Sequence, residues 1–343
     1  MLKMISELTR DLFAKEHSYS ENPSHFVNEA LWFEILKRFD GAALKEAPRV
    51  CRLFRSILAQ PRFWIEKCEY DGVVLPPLTW RRFFRQKEKE ETSVSGEATD
   101  AHSFNYRTIY YRRPYNRNLA VELQASTTLK KLKQQGMLFQ SEGDGIIIEN
   151  PPVACERTEV PICFATSYGW CHRYFEIDLE KAGIEGWVMD VIRPNITFRE
   201  KCACRPDCGA VYELKLQLLK RDEEYDDNVI LPRFRTLSRS WNQWEGGTFW
   251  ETVEHVYSNY PCGMRKLAVM SRGKDTQFWK GHYGAKFGAT EVIITLPETP
   301  RELTDDDFPD VEKRYVQGAT RQPLRSLRVP VGLRGRFPAR RGN

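Results

Sequence analysis

Between residues 145 and 297 the chain passes through short runs of β-branched and aromatic residues: "YFEIDL", "GWVMDVI", "AVYELKLQLL", "TFWETVEHVY", "KLAVM" and "EVIITL". Clusters of Gly, Pro, Asn and Asp separate them. In "VYELKLQLL" the residues Tyr212, Leu214, Leu216 and Leu218 alternate with their neighbours at the period of a strand with one buried face. Parallel strands need long, usually helical crossovers, and nothing in the region supplies them. The runs must therefore pair antiparallel, and so many of them are expected to close as a two-sheet sandwich. Helix is expected here only as a few turns around 160–182.

Residues 23–70 have a helical texture instead. Leu31, Ile35 and Leu36 recur at helical spacing in "NEALWFEILKRF". In "PRVCRLFRSILA", Val50, Leu53, Phe54, Ile57 and Leu58 follow the i, i+3, i+4, i+7, i+8 pattern of one buried stripe. Pro48 suits a first helical turn, and Gly41 suits the end of the preceding helix. Phe63 and Trp64 close the unit. Its 343 residues make the chain about twice the length of an ordinary domain, so two folded units are expected. Residues 1–22 stay unassigned and 71–104 read as a linker. Within that linker, "FRQKEKEETSVSGEATDAHS" is charged and then Ser- and Gly-rich, hence solvated. The sandwich would span 105–297, and 298–343 would be a disordered tail, acidic and then Arg-rich.

The formal net charge of +5 belongs to that tail. Residues 321–343 hold seven arginines and no acid, which leaves 45 basic against 47 acidic residues elsewhere. The body of the chain thus lacks the basic excess of a nucleic-acid-binding domain, and only the tail could bind nucleic acid, weakly. No run approaches the roughly 18 apolar residues of a spanning helix, so membrane insertion is not expected. The first residues carry Glu7 and Asp11 without an apolar block, and read as no signal peptide. Nine cysteines, an odd count, then point to reduced thiols in the cytosol or nucleus. The sequon Asn195-Ile196-Thr197 would go unmodified there.

Catalytic signatures are missing. There is no GxxxxGK[ST], GxGxxG, GxSxG or HExxH, and the adjacency of Cys171 and His172 in sequence says nothing of adjacency in space. Cys202, Cys204 and Cys208 in "KCACRPDCGA" offer three thiols where a structural zinc takes four ligands, so ordinary reduced thiols are the favoured reading. No cofactor is expected. "TQFWKGHYGAKFG" carries more, because it gathers Phe278, Trp279, Lys280 and Tyr283 on one turn between strands. Neighbouring Phe278 and Trp279 would point to opposite faces if extended, and so are hard to bury together. Aromatics at a loop tip beside a Lys suit stacking on the apolar face of a sugar, the ammonium donating to its oxygens.

Two segments carry a family resemblance. Residues 24–68 resemble an F-box on Leu31, Ile35, Leu36, Leu44, the run Val50-Cys51-Arg52, Phe54 and Phe63-Trp64, with Phe26-Val27 where that family usually has Leu-Pro. Residues 105–297 resemble the F-box-associated domain of the sugar-recognising F-box proteins. The resemblance rests on "IYYRRPYNRNL", "CFATSYGWCHRYFEIDL", "CRPDCGAVYEL" and the closing "FWKG". It implies an α+β multidomain chain: a small three-helix F-box, then a galactose-binding-like jelly roll.

The implied role is the substrate-recognition subunit of an SCF-type ubiquitin ligase, without chemistry of its own. Skp adaptor and cullin would be its partners, and Leu31, Ile35, Leu36, Leu44, Val50 and Phe54 its adaptor-binding residues. The implied cargo is the chitobiose core of high-mannose N-glycans on misfolded glycoproteins exported to the cytosol. Phe278, Trp279 and Lys280 match the family's aromatic–Trp–Lys loop, Tyr168 an aromatic on a neighbouring loop, and Asp207 an acid facing the sugar. A peptide degron read by the same pocket is the alternative cargo. A glycan hydrolase would need a second carboxylate near Asp207, and none is evident.

Overall fold

The computed structural model describes residues 28–81, 103–121, 128–226, 233–245 and 247–298. The unassigned segment 1–22, the start of the helical unit, most of the linker and the tail from 299 lie outside the described residues.

Among the described residues of the helical unit, four short helices follow one another. Asn28 caps α1 (Glu29–Lys37) by accepting from the Ala30 N–H at 3.0 Å. Asp40 caps α2 (Gly41–Glu46) through the Ala43 N–H at 2.7 Å. Gly41 therefore opens a helix instead of ending one, because the acid before it supplies the cap. Pro48 lies in a 3₁₀ turn, Ala47–Arg49, ahead of α3 (Arg52–Ala59). Pro61 starts α4 (Pro61–Tyr70), where its missing N–H costs nothing. Leu36, Leu44, Ile57, Leu58, Phe63 and Trp64 are buried between these helices.

The "IYYRR" lead-in is helical too. It forms α5 (Tyr106–Arg112), and its Tyr110 and Tyr111 rings lie 5.4 and 5.5 Å from Trp64. Tyr110 donates to Asp71 at 2.7 Å, and buried Lys67 donates to the same carboxylate at 3.0 Å. Burial alone would raise the Asp71 pKa, but these two donors hold it below the ordinary carboxylate value. Residues 71–81, placed in the linker by composition, pack here as well, with Val73 and Trp80 buried.

After α6 (Leu129–Gln134) the sandwich begins. Its strands are β1 (Leu138–Ser141), β2 (Ile147–Glu149), β3 (Cys163–Ala165), β4 (Cys171–Asp178), β5 (Asn195–Ala203), β6 (Ala210–Leu219), β7 (Phe234–Trp241), β8 (Glu251–Tyr257), β9 (Lys266–Asp275) and β10 (Lys286–Thr295). They form two five-stranded sheets, in the orders β1-β4-β9-β6-β7 and β2-β3-β10-β5-β8. Every pairing is antiparallel. The jelly roll is as expected, and Tyr212, Leu214, Leu216 and Leu218 are all buried on β6.

The helix expected around 160–182 is instead β3 and β4. The helical turn falls at Val188–Ile192, inside "GWVMDVI", which reads as a strand. Val188, Met189, Val191 and Ile192 are buried on either side of the half-buried Asp190, and four apolar residues around one acid favour neither the helical nor the strand period.

One polar cluster spans the space between the sheets. The fully buried Glu200 on β5 accepts from Arg173 on β4 and Thr290 on β10 through one oxygen. Its other oxygen accepts from Tyr212 and Ser271, each at 2.6 Å. The Arg173 guanidinium also lies about 5 Å from the rings of Phe164, Phe175 and Phe287. No helix among the described residues is long and apolar enough to cross a membrane.

Candidate functional site

The aromatic loop of residues 276–285 joins β9 to β10. A turn bonded to Asp275 starts it: the carboxylate accepts from the Phe278 N–H at 2.6 Å. That bond holds Phe278 in the left-handed region, with φ 58°, which is uncommon for a bulky residue. Phe278 is 71% exposed, Trp279 40%, and Lys280 is exposed without an ion pair among the described residues. The two aromatics are indeed not buried together. The cause is this kink, since the backbone here is not extended.

Neighbouring loops brace it. The Gly281 N–H donates to Asp144 at 2.7 Å, tying the loop to the turn after β1. Gly143 in that turn has φ 65°, and a Cβ there would stand 2.9 Å from the Tyr168 ring, so Tyr168 lies over it. From the β5–β6 turn, the Gly209 N–H and the Cys208 thiol both donate to Gln277, at 2.8 and 3.0 Å. Tyr283 meets Trp279 edge-on at 5.7 Å and receives the Arg205 guanidinium over its face at 4.5 Å.

Tyr168, Asp207, Phe278, Trp279 and Lys280, the five residues expected to bind sugar, thus lie on three loops linked at one end of the sandwich. Asp207 is not a bare acid. Arg205 grips it with two hydrogen bonds, at 2.7 and 2.8 Å, and lowers its pKa. The site also uses residues that the sequence reading passed over. Asp144 anchors the loop, and Arg205 joins Asp207 to Tyr283. Trp170 lies under Arg272 and Lys274, at 4.3 and 5.0 Å, and Lys274 is 5.9 Å from Phe278. An Arg two residues from an Asp is a legible signal, but Trp170 and Lys274 approach only through the pairing of β4 with β9.

The chemistry on offer is binding. Flat aromatic faces, an ammonium and a paired carboxylate suit a neutral polyhydroxylated ligand. The thiols lie deeper: Cys202, Cys204 and Cys208 are buried, and burial pushes the Cys204 thiol up to about 12 and the Cys208 thiol up to about 11. Among the described residues, no group of three or more His, Cys, Asp or Glu is placed to hold a metal ion.

The helical unit meets the opposite end. The Asn116 N–H, just past α5, donates to Ile294 near the end of β10, whereas the aromatic loop precedes the start of β10. Eight residues of β10 separate the two, roughly 26 Å of strand.

The six residues expected to face an adaptor divide by burial. Leu31 and Val50 are exposed and Ile35 is half-buried, while Leu36, Leu44 and Phe54 are enclosed in the helical core. Enclosed side chains cannot touch a partner while the unit stays folded. Of the six, Leu31, Ile35 and Val50 remain accessible.

Comparison with known proteins finds one family model over the sandwich and several relatives over most of the chain. The family described as "F-box associated region" matches residues 110–294. F-box only protein 6 of Rattus norvegicus is 28% identical over 273 residues, covering 77% of this chain and 85% of its own. F-box only protein 27 of Macaca fascicularis is 33% identical over 164 residues, covering 46% and 55%. F-box only protein 17 of Homo sapiens is 27% identical over 252 residues, covering 72% and 83%.

Proposed function

The chain belongs to the F-box-associated family, and from that premise we propose that it is a substrate-recognition subunit of an SCF-type ubiquitin ligase whose sandwich binds N-glycans. The exposed Phe278-Trp279-Lys280 tip carries this reading. A loop that spends a strained backbone and several braces to show two aromatics to solvent is built for a ligand. Trp279 offers the largest flat face for a sugar ring, Lys280 a donor to its hydroxyl or acetamide oxygens, and Asp207 acceptors beside it. The ligand class is the chitobiose core of a high-mannose glycan. Leu31, Ile35 and Val50 supply the apolar helical surface for a Skp adaptor. The protein does no chemistry on this reading. It accelerates transfer by holding a target beside the charged enzyme, turning a bimolecular encounter into an effectively intramolecular one.

Calorimetry with chitobiose on the full chain tests the ligand. Wild type should bind and Trp279→Ala should lose about 2 kcal/mol or more, roughly thirtyfold in affinity, while still melting like wild type. A cooperatively melting wild type that binds no glycan at millimolar sugar sinks the lectin reading.

A further inference from the structure

A second aromatic stands at the same end of the sandwich. Trp244, in the loop between β7 and β8, is 71% exposed, as is Phe278. Like Phe278 it holds a left-handed backbone, with φ 65°. Two bulky residues thus hold a conformation that sterics disfavour, both displayed on loop tips at one end of the sandwich. Each is fixed through its own N–H: Phe278 by Asp275 at 2.6 Å, Trp244 by the Pro206 carbonyl at 2.8 Å. The β5–β6 turn lies between them. It bonds Gln277 on one side, and on the other its Asp207 carbonyl accepts from Gln243 at 3.0 Å. Asp207 is thus flanked by both aromatic loops.

We propose that Trp244 is a second stacking platform of the same carbohydrate site and takes a sugar ring beyond the two held at Phe278 and Trp279. The proposal rests on the glycan reading above and extends it from a disaccharide to a longer oligosaccharide. Composition favours sugar over an apolar peptide. The loop "NQWEGGTF" contains no aliphatic residue, and Trp244 stands among Asn242, Gln243 and Glu245. A ring face bordered by amides and carboxylates matches the alternating apolar faces and hydroxyl edges of a pyranose. An apolar docking patch would surround its aromatics with Leu, Ile or Val.

The test compares two probes, chitobiose and a free high-mannose oligosaccharide, by calorimetry on the full chain. Wild type should bind the longer glycan about tenfold more tightly. Trp244→Ala should erase that advantage and leave chitobiose binding within about twofold and the melting temperature unchanged. Trp244→Tyr, which keeps a ring face, should restore most of it, whereas Trp279→Ala should lose both probes. Equal binding of the longer glycan by wild type and Trp244→Ala overturns the proposal while the lectin reading stands. So does Trp244→Ala weakening both probes equally, or weakening only the capture of a deglycosylated, unfolded glycoprotein. Failure of wild type to bind either probe overturns both readings together.

Discussion

The indole N–H of Trp80 donates to the carbonyl of Pro297 at 2.7 Å, joining two residues 217 positions apart. Trp80 lies on the segment leaving the helical unit, and Pro297 follows the last strand of the sandwich. Thr79 adds a second tie by donating to the Glu298 carbonyl at 2.5 Å. Trp80→Phe keeps a ring but drops the bond, and should cost about 1 kcal/mol. Trp80→Ala also opens a cavity and should cost about 3–5 kcal/mol. Denaturant unfolding of the full chain reads both, and equal small losses would mean that the ring packs weakly.

Glu200 supports a larger effect. Its two oxygens serve Arg173, Thr290, Tyr212 and Ser271 between the sheets. Glu200→Ala leaves a buried guanidinium without its counter-charge and should destabilise the sandwich by about 3–5 kcal/mol. Arg173→Met combined with Glu200→Leu should recover part of that loss, because no buried charge is left unpaired while the Tyr212, Ser271 and Thr290 hydroxyls still lose their acceptor. Recovery is measured by chemical melts of the single and double variants.

On the helical unit, Leu31→Asp and Leu36→Asp should behave differently although both exchange Leu for Asp. Leu31 is exposed, so its variant should keep the melting temperature and lose adaptor affinity. Leu36 is fully enclosed, so its variant should unfold the unit, at a cost of several kcal/mol for an unpaired buried charge. Circular dichroism alongside a binding assay with purified Skp adaptor separates the two. A Leu31→Asp variant that binds normally would move the adaptor surface elsewhere.

Asp275 gives a pH signature. Burial raises its pKa, and its Oδ2 has no hydrogen-bond partner among the described residues. A carboxyl raised on folding favours the fold when protonated. That contribution is complete below the unfolded value, about 3.9, and is lost as pH rises through the folded one. Asp275→Asn keeps an oxygen for the Phe278 N–H and removes the charge. Relative to wild type, the variant should therefore be more stable at pH 7 than it is below about pH 4, where the Asp275 carboxyl is protonated in both states. A gain independent of pH would point away from the charge.

Lys280→Ala should weaken chitobiose binding less than Trp279→Ala does, by about 1–2 kcal/mol, because an exposed ammonium shares its donors with water. Rising salt should leave that difference nearly unchanged if the ligand is a neutral sugar, and titrations at two ionic strengths check it.

Much of the architecture was legible because strands with one buried face advertise it by alternation, as β6 does. The turn at Val188–Ile192 was not, since four buried apolar residues around one half-buried acid fit neither period. Gly41 misled for a local reason: glycine punctuates either helix end, and only the Asp40 side chain decides which. At the loop end, Phe278, Trp279 and Lys280 stand together in sequence and could be read together. Trp170, Arg205 and Asp144 join them only through strand pairing and loop packing. Leu36 shares the helical run of Leu31, and periodicity alone cannot separate the residues that fill a small core from those left over for a partner.

The Lys67–Asp71–Tyr110 clasp bears on which sites of a target can be modified. On the proposed role, two modules joined by a flexible tether would let bound cargo sample many orientations, and any lysine within reach would serve. A clasp that fixes α4 against α5, whose chain runs straight on to Ile294 of β10, sets the cargo loop roughly 26 Å away along that strand and works instead as a jig. On that role cargo would meet the transfer enzyme at a set stand-off, and the spacing between a glycan and a lysine on the target would select the residue that receives ubiquitin.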